Sequence, residues 1–114
     1  MQIGLIGGIG PAATDFYYRR LIRVFAQKKS PLELTIVHAD TPTLLENLTR
    51  NRAATQAQIF ARLTDRLASA GAGCVAITSI AGHFCRKEFG ALSPLPVVDM
   101  IDEVGRAVTA RGVR

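Results

Sequence analysis

The chain has 114 residues, 48% of them hydrophobic and 20% charged, a composition typical of one folded domain and not of a disordered segment. Lysine and arginine outnumber the acidic residues by 14 to 9, but they are dispersed at helical spacing without interleaved aromatic residues, which argues against nucleic-acid binding. No apolar run reaches the roughly 20 residues that span a bilayer, and the two cysteines are too few for a disulfide framework, so we expect a cytoplasmic protein with no membrane partner.

The first half of the sequence predicts two strands, each followed by helical structure. A nearly continuous apolar run predicts a strand at 2–6 that is covered on both faces. A glycine-rich turn then leads into a helix from Pro11 to about Lys28, which carries an apolar stripe at helical spacing. A second strand is expected at 33–37, followed by a loop at 41–43 and a short helical turn at 44–48.

The second half continues the same alternation. Asn51 is a suitable N-cap for a long helix to about Ala70, and Gly71 is expected to end it. The apolar stripe of this helix is predicted at Phe60, Leu63 and Leu67, supported by Ile59. The remaining predicted elements are a strand at 73–78, a tight loop at 79–82, a helix at 83–89, a strand around 97–98 and a helix at 102–110.

This alternation predicts an α/β fold with residues 1–114 as a single domain. We expect a three-layer sandwich with a four-stranded parallel sheet in the order 2-1-3-4 and helices on both faces. In such sheets ligands bind at the carboxyl ends of the strands. The residues that we expect to cluster at this edge are Gly8, Gly10, Asp40, Thr43, Ser79 and His83.

The loop after the first strand is a candidate anion site. Residues 8–13 fit the pattern G-x-G-x-x-A between a strand and a helix, which is typical of dinucleotide binding, and Asp40 is placed to meet a ribose. A helix N-terminus suits a carboxylate equally well. Pro11 favours the carboxylate, because it removes an N–H that a pyrophosphate would use. A tight turn without a ligand is the remaining alternative.

The loop after the third strand carries a serine and a histidine. Ser79 and His83 are candidates for a nucleophile and its base, but no orienting acid stands at a recognisable spacing and G-x-S-x-G is absent, which disfavours a hydrolase. Cys85 is close to a helix start, although a buried, inert thiol is the simpler interpretation for both Cys74 and Cys85. The histidines and cysteines lack the spacing of a metal site, so we expect no metal.

Three segments together resemble the aspartate/glutamate racemase family. Residues 3–11, with Thr14 and Tyr18-Arg19, resemble the opening of that family. Residues 70–83, in which a glycine-rich turn precedes an apolar strand and a histidine, resemble its first catalytic motif, and 95–101 resemble the segment that follows. The resemblance covers essentially the whole chain.

The resemblance implies a cofactor-independent amino-acid racemase of two similar α/β domains, often a homodimer, of which this chain is the N-terminal half. Each domain of such an enzyme supplies one acid/base residue, usually a cysteine, to opposite faces of the substrate Cα. The catalytic position of the motif falls on Ser79. The positions that the resemblance assigns to binding a small carboxylate or amino-acid substrate are Gly8, Ile9, Gly10, Thr43, Thr78, Ile80, Ala81 and His83.

The motif departs from the family at its centre. Where the family commonly reads Cys-Asn-Thr, this chain reads Ser79, Ile80 and Ala81. A serine hydroxyl is a far weaker base than a thiolate, since a free thiol has a pKa of about 8.5. Two hypotheses therefore stand: 1,1-proton transfer at the Cα of an acidic amino acid or related carboxylate, and a non-catalytic carboxylate-binding module of the same fold. A dinucleotide-binding domain is a third, less favoured one.

Overall fold

The structure is a computed structural model that describes residues 2–8, 11–79 and 81–98. Within these residues strands and helices alternate along the chain. The elements, in chain order, are β1 (Gln2–Gly7), α1 (Pro11–Gln27), β2 (Glu33–His38), α2 (Thr41–Thr49), α3 (Ala53–Ser69), β3 (Cys74–Ile77), a 3₁₀ turn (Ala81–Cys85) and α4 (Arg86–Leu92). None of the helices in this part of the chain is long and apolar enough to cross a membrane.

The three strands form a parallel sheet in which β1 lies between β2 and β3. Ile6 of β1 stands opposite Val37 of β2 and Ile77 of β3, so the three strands end at the same edge of the sheet. The α/β class, the parallel pairing and the order of the first three strands are confirmed.

The described residues contain three strands, so the prediction of four is wrong. The segment predicted as the fourth strand forms a single parallel bridge, between Val97 and Val75, and the Val98 amide donates to the Val75 carbonyl at 2.7 Å. The pairing is limited to this short bridge because Pro96 has no N–H to donate to a ladder. The bridge nevertheless lies beside β3, on the side predicted. The helix predicted at 102–110 lies outside the described residues.

The main hydrophobic core lies between the sheet and α3. Alternate residues of a strand face opposite sides, and Ile6 of β1 belongs to the face that α3 covers. Phe60, Leu63 and Leu67 of α3, the stripe that the helical periodicity predicts, are buried in this core. Phe60 also meets Phe89 of α4 edge to face, with ring centroids 5.7 Å apart. This core fixes α3 and α4 against the sheet.

Helix α1 covers the opposite face, so helices lie on both faces as predicted. Gly7 points toward α1, because a Cβ on Gly7 would lie 2.6 Å from Oγ1 of Thr14. The cover is thinner than on the α3 side, since no described residue of α1 is fully buried. An open groove of about 550 Å³, here called the apolar groove, is lined by Tyr18, Ile22, Leu32, Leu34 and Ile36.

Helix α2 begins earlier than predicted, because Asp40 caps it. The Asp40 carboxylate accepts a hydrogen bond from the Thr43 amide at 3.1 Å, which satisfies one of the unpaired N–H groups of the first turn. Pro42 fits in that turn, where its missing N–H is not needed. The segment predicted as a loop at 41–43 is therefore the first turn of a helix.

Helix α3 begins at Ala53, and Asn51 is not its cap. Asn51 has a φ of 55° just past the end of α2, a left-handed conformation that asparagine tolerates better than most residues. The other end of α3 is as predicted. Gly71 has a φ of 102°, and the Ala72 amide donates to the Leu67 carbonyl at 3.0 Å, the closing bond of a glycine-capped helix.

The position of the core predicts that two phenylalanines contribute very differently to the free energy of unfolding. Phe60→Ala should lower the free energy of unfolding by about 3–5 kcal/mol, because it removes a fully buried ring and leaves a cavity. Phe16, which is 57% exposed, is the matched control, and Phe16→Ala should cost less than about 1 kcal/mol. Chemical denaturation followed by circular dichroism measures both. Equal losses for the two variants would contradict the placement of the core.

Candidate functional site

The end of β1 is bonded to the residues that follow both neighbouring strands. The Ala39 amide, after β2, donates to the Gly7 carbonyl at 2.7 Å, and the Thr78 amide, after β3, donates to the Ile6 carbonyl at 3.1 Å. The loops after the three strands therefore meet at the carboxyl edge of the sheet, where ligands of open α/β sheets bind.

Threonine hydroxyls join these loops further. The Thr78 hydroxyl donates to the Ile6 carbonyl at 3.1 Å and lies 3.0 Å from the Thr14 hydroxyl. Because a hydroxyl has one proton to donate, Thr14 is the donor to Thr78. We call these contacts the hydroxyl bridge. On the other side of β1, the Thr41 hydroxyl donates to the Gly8 carbonyl. The end of β1 and the first turn of α1 are thus bonded to Thr78, and Gly8 is bonded to the first residue of α2.

Gly7, the last residue of β1, and Gly8, which follows it, are required by this close approach. A Cβ on Gly7 would clash with the Thr14 side chain, and one on Gly8 would lie 2.5 Å from Nδ1 of His38 and 2.4 Å from the Ala39 carbonyl. Gly8 also has a φ of 113°, which strains any other residue. Beside them opens a cavity of about 320 Å³, lined by Gly7, Gly8, Pro11, Thr14, Asp15, Ile36 and His38.

The loop after β2 does not offer the groups that the sequence analysis assigned to it. The Thr43 hydroxyl donates to Oδ2 of Asp40 at 2.5 Å, in addition to the bond from its amide. The bond from the Thr43 hydroxyl, followed by the bond from its amide, lowers the pKa of Asp40. Asp40 thus serves as a helix cap, and this role removes the main support for a ribose contact and for the dinucleotide hypothesis.

The loop after β3 places His83 against the backbone of Ser79. Nδ1 of His83 lies 2.7 Å from the Ser79 carbonyl oxygen. A carbonyl only accepts, so Nδ1 carries the proton and a neutral ring keeps its lone pair on Nε2. The ring does not bond the Ser79 hydroxyl, which argues against a serine nucleophile with His83 as its base. Ser79 itself is buried, with 6% of its surface exposed.

The 3₁₀ turn brings the His83 side chain close to the Ser79 carbonyl. The Gly82 amide donates to the Ser79 carbonyl at 3.2 Å, and a Cβ on Gly82 would lie 2.7 Å from Cγ2 of Ile77. The turn therefore packs closely against the hydrophobic core. The predicted loop at 79–82 and helix at 83–89 are wrong in their bounds, because the turn begins at Ala81 and α4 runs from Arg86 to Leu92.

Neither cysteine is a reactive thiol. Both are buried. Burial, reinforced by the charge of Glu88, raises the pKa of Cys85 to about 11, and its Sγ donates to the Gly82 carbonyl at 3.6 Å. Burial also raises the pKa of Cys74. Within the described ranges, no group of three or more His, Cys, Asp or Glu side chains lies close enough to hold a metal ion.

The described members of the predicted site all follow strand ends: Gly8 after β1, Asp40 and Thr43 after β2, and Thr78, Ser79, Ala81 and His83 after β3. Ile9, Gly10 and Ile80 lie outside the described residues. The sequence analysis assigned no site role to Thr14 or Thr41, the two hydroxyls that join the loops.

Comparison with known proteins identifies the family. The family model for Asp/Glu/hydantoin racemases matches residues 6–114. Because this match covers nearly the whole chain, the chain belongs to the Asp/Glu/hydantoin racemase family, and the resemblance found in the sequence is confirmed. No curated protein matches the chain.

Two solved structures share the fold. An aspartate racemase homologue from Pyrococcus horikoshii OT3 is 27% identical with a TM-score of 0.82, over 99% of this chain and 50% of that one. A protein described as a "putative Asp/Glu Racemase" from Yersinia pestis is 24% identical with a TM-score of 0.83, over 98% of this chain and 50% of that one. This chain therefore spans half the length of both.

The hydroxyl bridge predicts coupling between two threonines. Thr14→Val and Thr78→Val each keep the shape of the side chain and remove the hydroxyl, so a double-mutant cycle should give a coupling energy of about 0.5–1.5 kcal/mol in unfolding free energy. Thr14→Ser keeps the donor, and in a cycle with Thr78→Val it should retain the coupling. Additive effects of the two valine substitutions would show that the bridge does not form.

Burial of the thiols predicts slow modification. At pH 8, Cys74 and Cys85 in the folded chain should react with a soluble aromatic disulfide at least about tenfold more slowly than in the chain unfolded by urea, because folding restricts access and suppresses the thiolate. A small thiol peptide in the same buffers corrects for the effect of urea. Rapid release of chromophore from the folded chain would contradict the buried positions.

Proposed function

We propose that this chain is the N-terminal half of a cofactor-independent racemase, which acts by 1,1-proton transfer at the Cα of an acidic amino acid or a related carboxylate. One observation carries the proposal: the catalytic position of the family motif falls on Ser79, and Ser79 follows β3 at the edge where the ends of the three strands meet. The family match over residues 6–114 supports the same conclusion.

In this proposal the first loop and the start of α1 hold a substrate carboxylate. Proton abstraction at Cα leaves a carbanion that the neighbouring carboxylate must help to delocalise, so that carboxylate needs donors and positive potential. Backbone N–H groups of Gly8, Ile9 and Gly10 supply the donors, and the N-terminus of α1 supplies the potential.

The other proposed substrate contacts lie after β3. Ile80 and Ala81 offer backbone and an apolar wall in place of the polar side chains of the family motif, and His83 offers a ring nitrogen. Thr78 and Thr43 act differently, because their hydroxyl protons are directed at the Ile6 carbonyl and the Asp40 carboxylate. These two threonines shape the site without donating to the substrate.

A single domain offers acid/base groups at one sheet edge only. Racemisation needs one group on each face of Cα, so the second group must come from the other half of a protein of the length of its relatives. This requirement and the 50% coverage of the relatives support the assignment of this chain as one half of the enzyme.

A carboxylate-binding module without catalysis is the second candidate. It is favoured by the serine in the catalytic position and by the two thiols, which are buried with raised pKa values. Such a module would bind an acidic amino acid through the first loop and leave its Cα proton in place. Isotope exchange at Cα in the complete protein distinguishes the two functions.

We also propose that the protein forms a homodimer in the cytoplasm. Among the described residues β2 is an edge strand of the sheet. The apolar groove beside it supports self-association, because an apolar patch on a sheet edge favours contact with another chain.

The proposal predicts that this chain alone is inactive and that the complete protein is active. This chain alone should show no loss of optical rotation with either enantiomer of aspartate or glutamate, because it lacks the group on the opposite face of Cα. The complete protein should exchange the Cα hydrogen for deuterium in D₂O, and Ser79→Ala should reduce that exchange. Exchange by this chain alone that vanishes in Ser79→Ala would show that one domain suffices, and exchange absent from the complete protein would favour the binding module.

A further inference from the structure

We infer that His83 is a catalytic residue of this half of the site and that its Nε2 atom receives the proton taken from the substrate Cα. The inference rests on the proposed function and deepens it, because it assigns the acid/base role on this side of Cα to His83. Ser79, in the motif position, contacts the substrate without holding the proton.

The first support is the fixed orientation of the imidazole ring. Nδ1 donates to the Ser79 carbonyl at 2.7 Å, and this bond leaves the lone pair of the neutral ring on Nε2. Within the described residues, no hydrogen-bond partner occupies Nε2, and His83 is half-buried. Nε2 can therefore act as a base, while the bond from Nδ1 fixes the ring in the way that catalytic imidazoles are oriented.

The second support is that the backbone around His83 is held in place by hydrogen bonds and core packing. The Ser79 carbonyl accepts from the Gly82 amide as well as from His83. Gly82 lies against Ile77 and the Phe60 ring, where a Cβ would approach both to 3.4 Å or less. The hydrophobic core thus fixes the turn, and the turn fixes His83 beside Ser79, which is the pre-organisation that proton transfer requires.

The third support is that the neighbouring groups are unsuited to the role. A serine hydroxyl ionises far above neutral pH, so Ser79 is a poor acceptor. Cys85 points its thiol at the Gly82 carbonyl inside the core. The two bonds from Thr43 to Oδ2 of Asp40 lower the pKa of that carboxyl, which makes it a weaker base.

The second histidine of the chain stands further from the catalytic position. His38 ends β2, which lies on the other side of β1 from β3, and its ring is placed against Gly8. Ser79 therefore has His83 as its direct histidine neighbour, through the bond to its own carbonyl.

The proton and electron balance of the step is simple. The Cα–H bond breaks, its electron pair stays on the substrate and is delocalised into the carboxylate, and an N–H bond forms at Nε2. The resulting imidazolium still donates from Nδ1 to the Ser79 carbonyl, in a bond that the positive charge strengthens. An acid group of the second domain returns a proton to the opposite face of Cα, and His83 releases its proton to solvent.

The first experiment reads the tautomer of His83 in this chain. Long-range ¹⁵N–¹H correlation spectra of the histidine-labelled chain, with His38→Gln to leave one signal, should show the proton on Nδ1 of the neutral ring and none on Nε2. A proton on Nε2 would overturn the inference, because the lone pair would then face a carbonyl. This result does not depend on activity and so is separate from the proposed function.

The second experiment measures Cα deuterium exchange in the complete protein with aspartate and glutamate. His83→Asn places an amide near the Nδ1 position, which keeps a donor for the Ser79 carbonyl but offers no base. His83→Gln is the second variant, with an amide near the Nε2 position. Both should lower the exchange rate by about 100-fold or more, the usual contribution of a general base. Circular dichroism confirms that each variant is folded.

The outcomes separate the two assignments. Loss of exchange in both histidine variants supports the inference. Near-normal exchange in His83→Asn would overturn it and leave His83 a structural partner of the Ser79 carbonyl. If the Asn variant does not fold, near-normal exchange in His83→Gln has the same meaning. No exchange in the unsubstituted complete protein would overturn the proposed function, and the catalytic role of His83 with it.

Discussion

The site depends on how closely the chain approaches itself at the end of β1. Gly7 and Gly8 have no side chains, so Thr14 of α1 and His38 of β2 reach positions that a Cβ would occupy. This proximity lets the Thr14 hydroxyl meet Thr78 and completes the hydroxyl bridge to the Ile6 carbonyl. The end of β1, the first turn of α1 and the residues that follow β2 and β3 are thereby bonded together at one edge of the sheet.

Much of the fold follows from local signals in the sequence. The stripe of Phe60, Leu63 and Leu67 and the left-handed Gly71 gave α3 its buried face and its end, because both depend on neighbours within one helix. The fourth strand was overpredicted, since β-branched residues at 97–98 indicate a strand while Pro96 limits its ladder to one bridge. Asn51 was misassigned because it suits a left-handed turn as well as a cap.

The sequence places the candidate site at the carboxyl edge of the sheet, but it does not indicate which hydrogen bonds the side chains of that site make. Gly8, Ser79 and His83 can be placed from the sequence because they follow predicted strands. The hydrogen bonds of the threonine hydroxyls depend on tertiary contacts, which the sequence does not show. The sequence predicts Thr43 as a substrate ligand, whereas in the structure its hydroxyl donates to the Asp40 carboxylate. Thr14 was detectable in principle, because it stands one turn before Tyr17 on the apolar side of α1 that faces the sheet, and a polar residue in such a place usually has a partner. The bond from His83 to the Ser79 carbonyl depends on a 3₁₀ turn that the sequence pattern does not indicate.

The most direct test of the site is a crystal structure of the complete protein with bound aspartate. From the proposed function we expect one substrate carboxylate on the amides of the first loop and the start of α1. The Cα atom should face Ser79 and lie about 3–3.5 Å from Nε2 of His83, the separation of a reactive complex. Aspartate bound in the apolar groove, or with its Cα directed away from the loop after β3, would contradict the account.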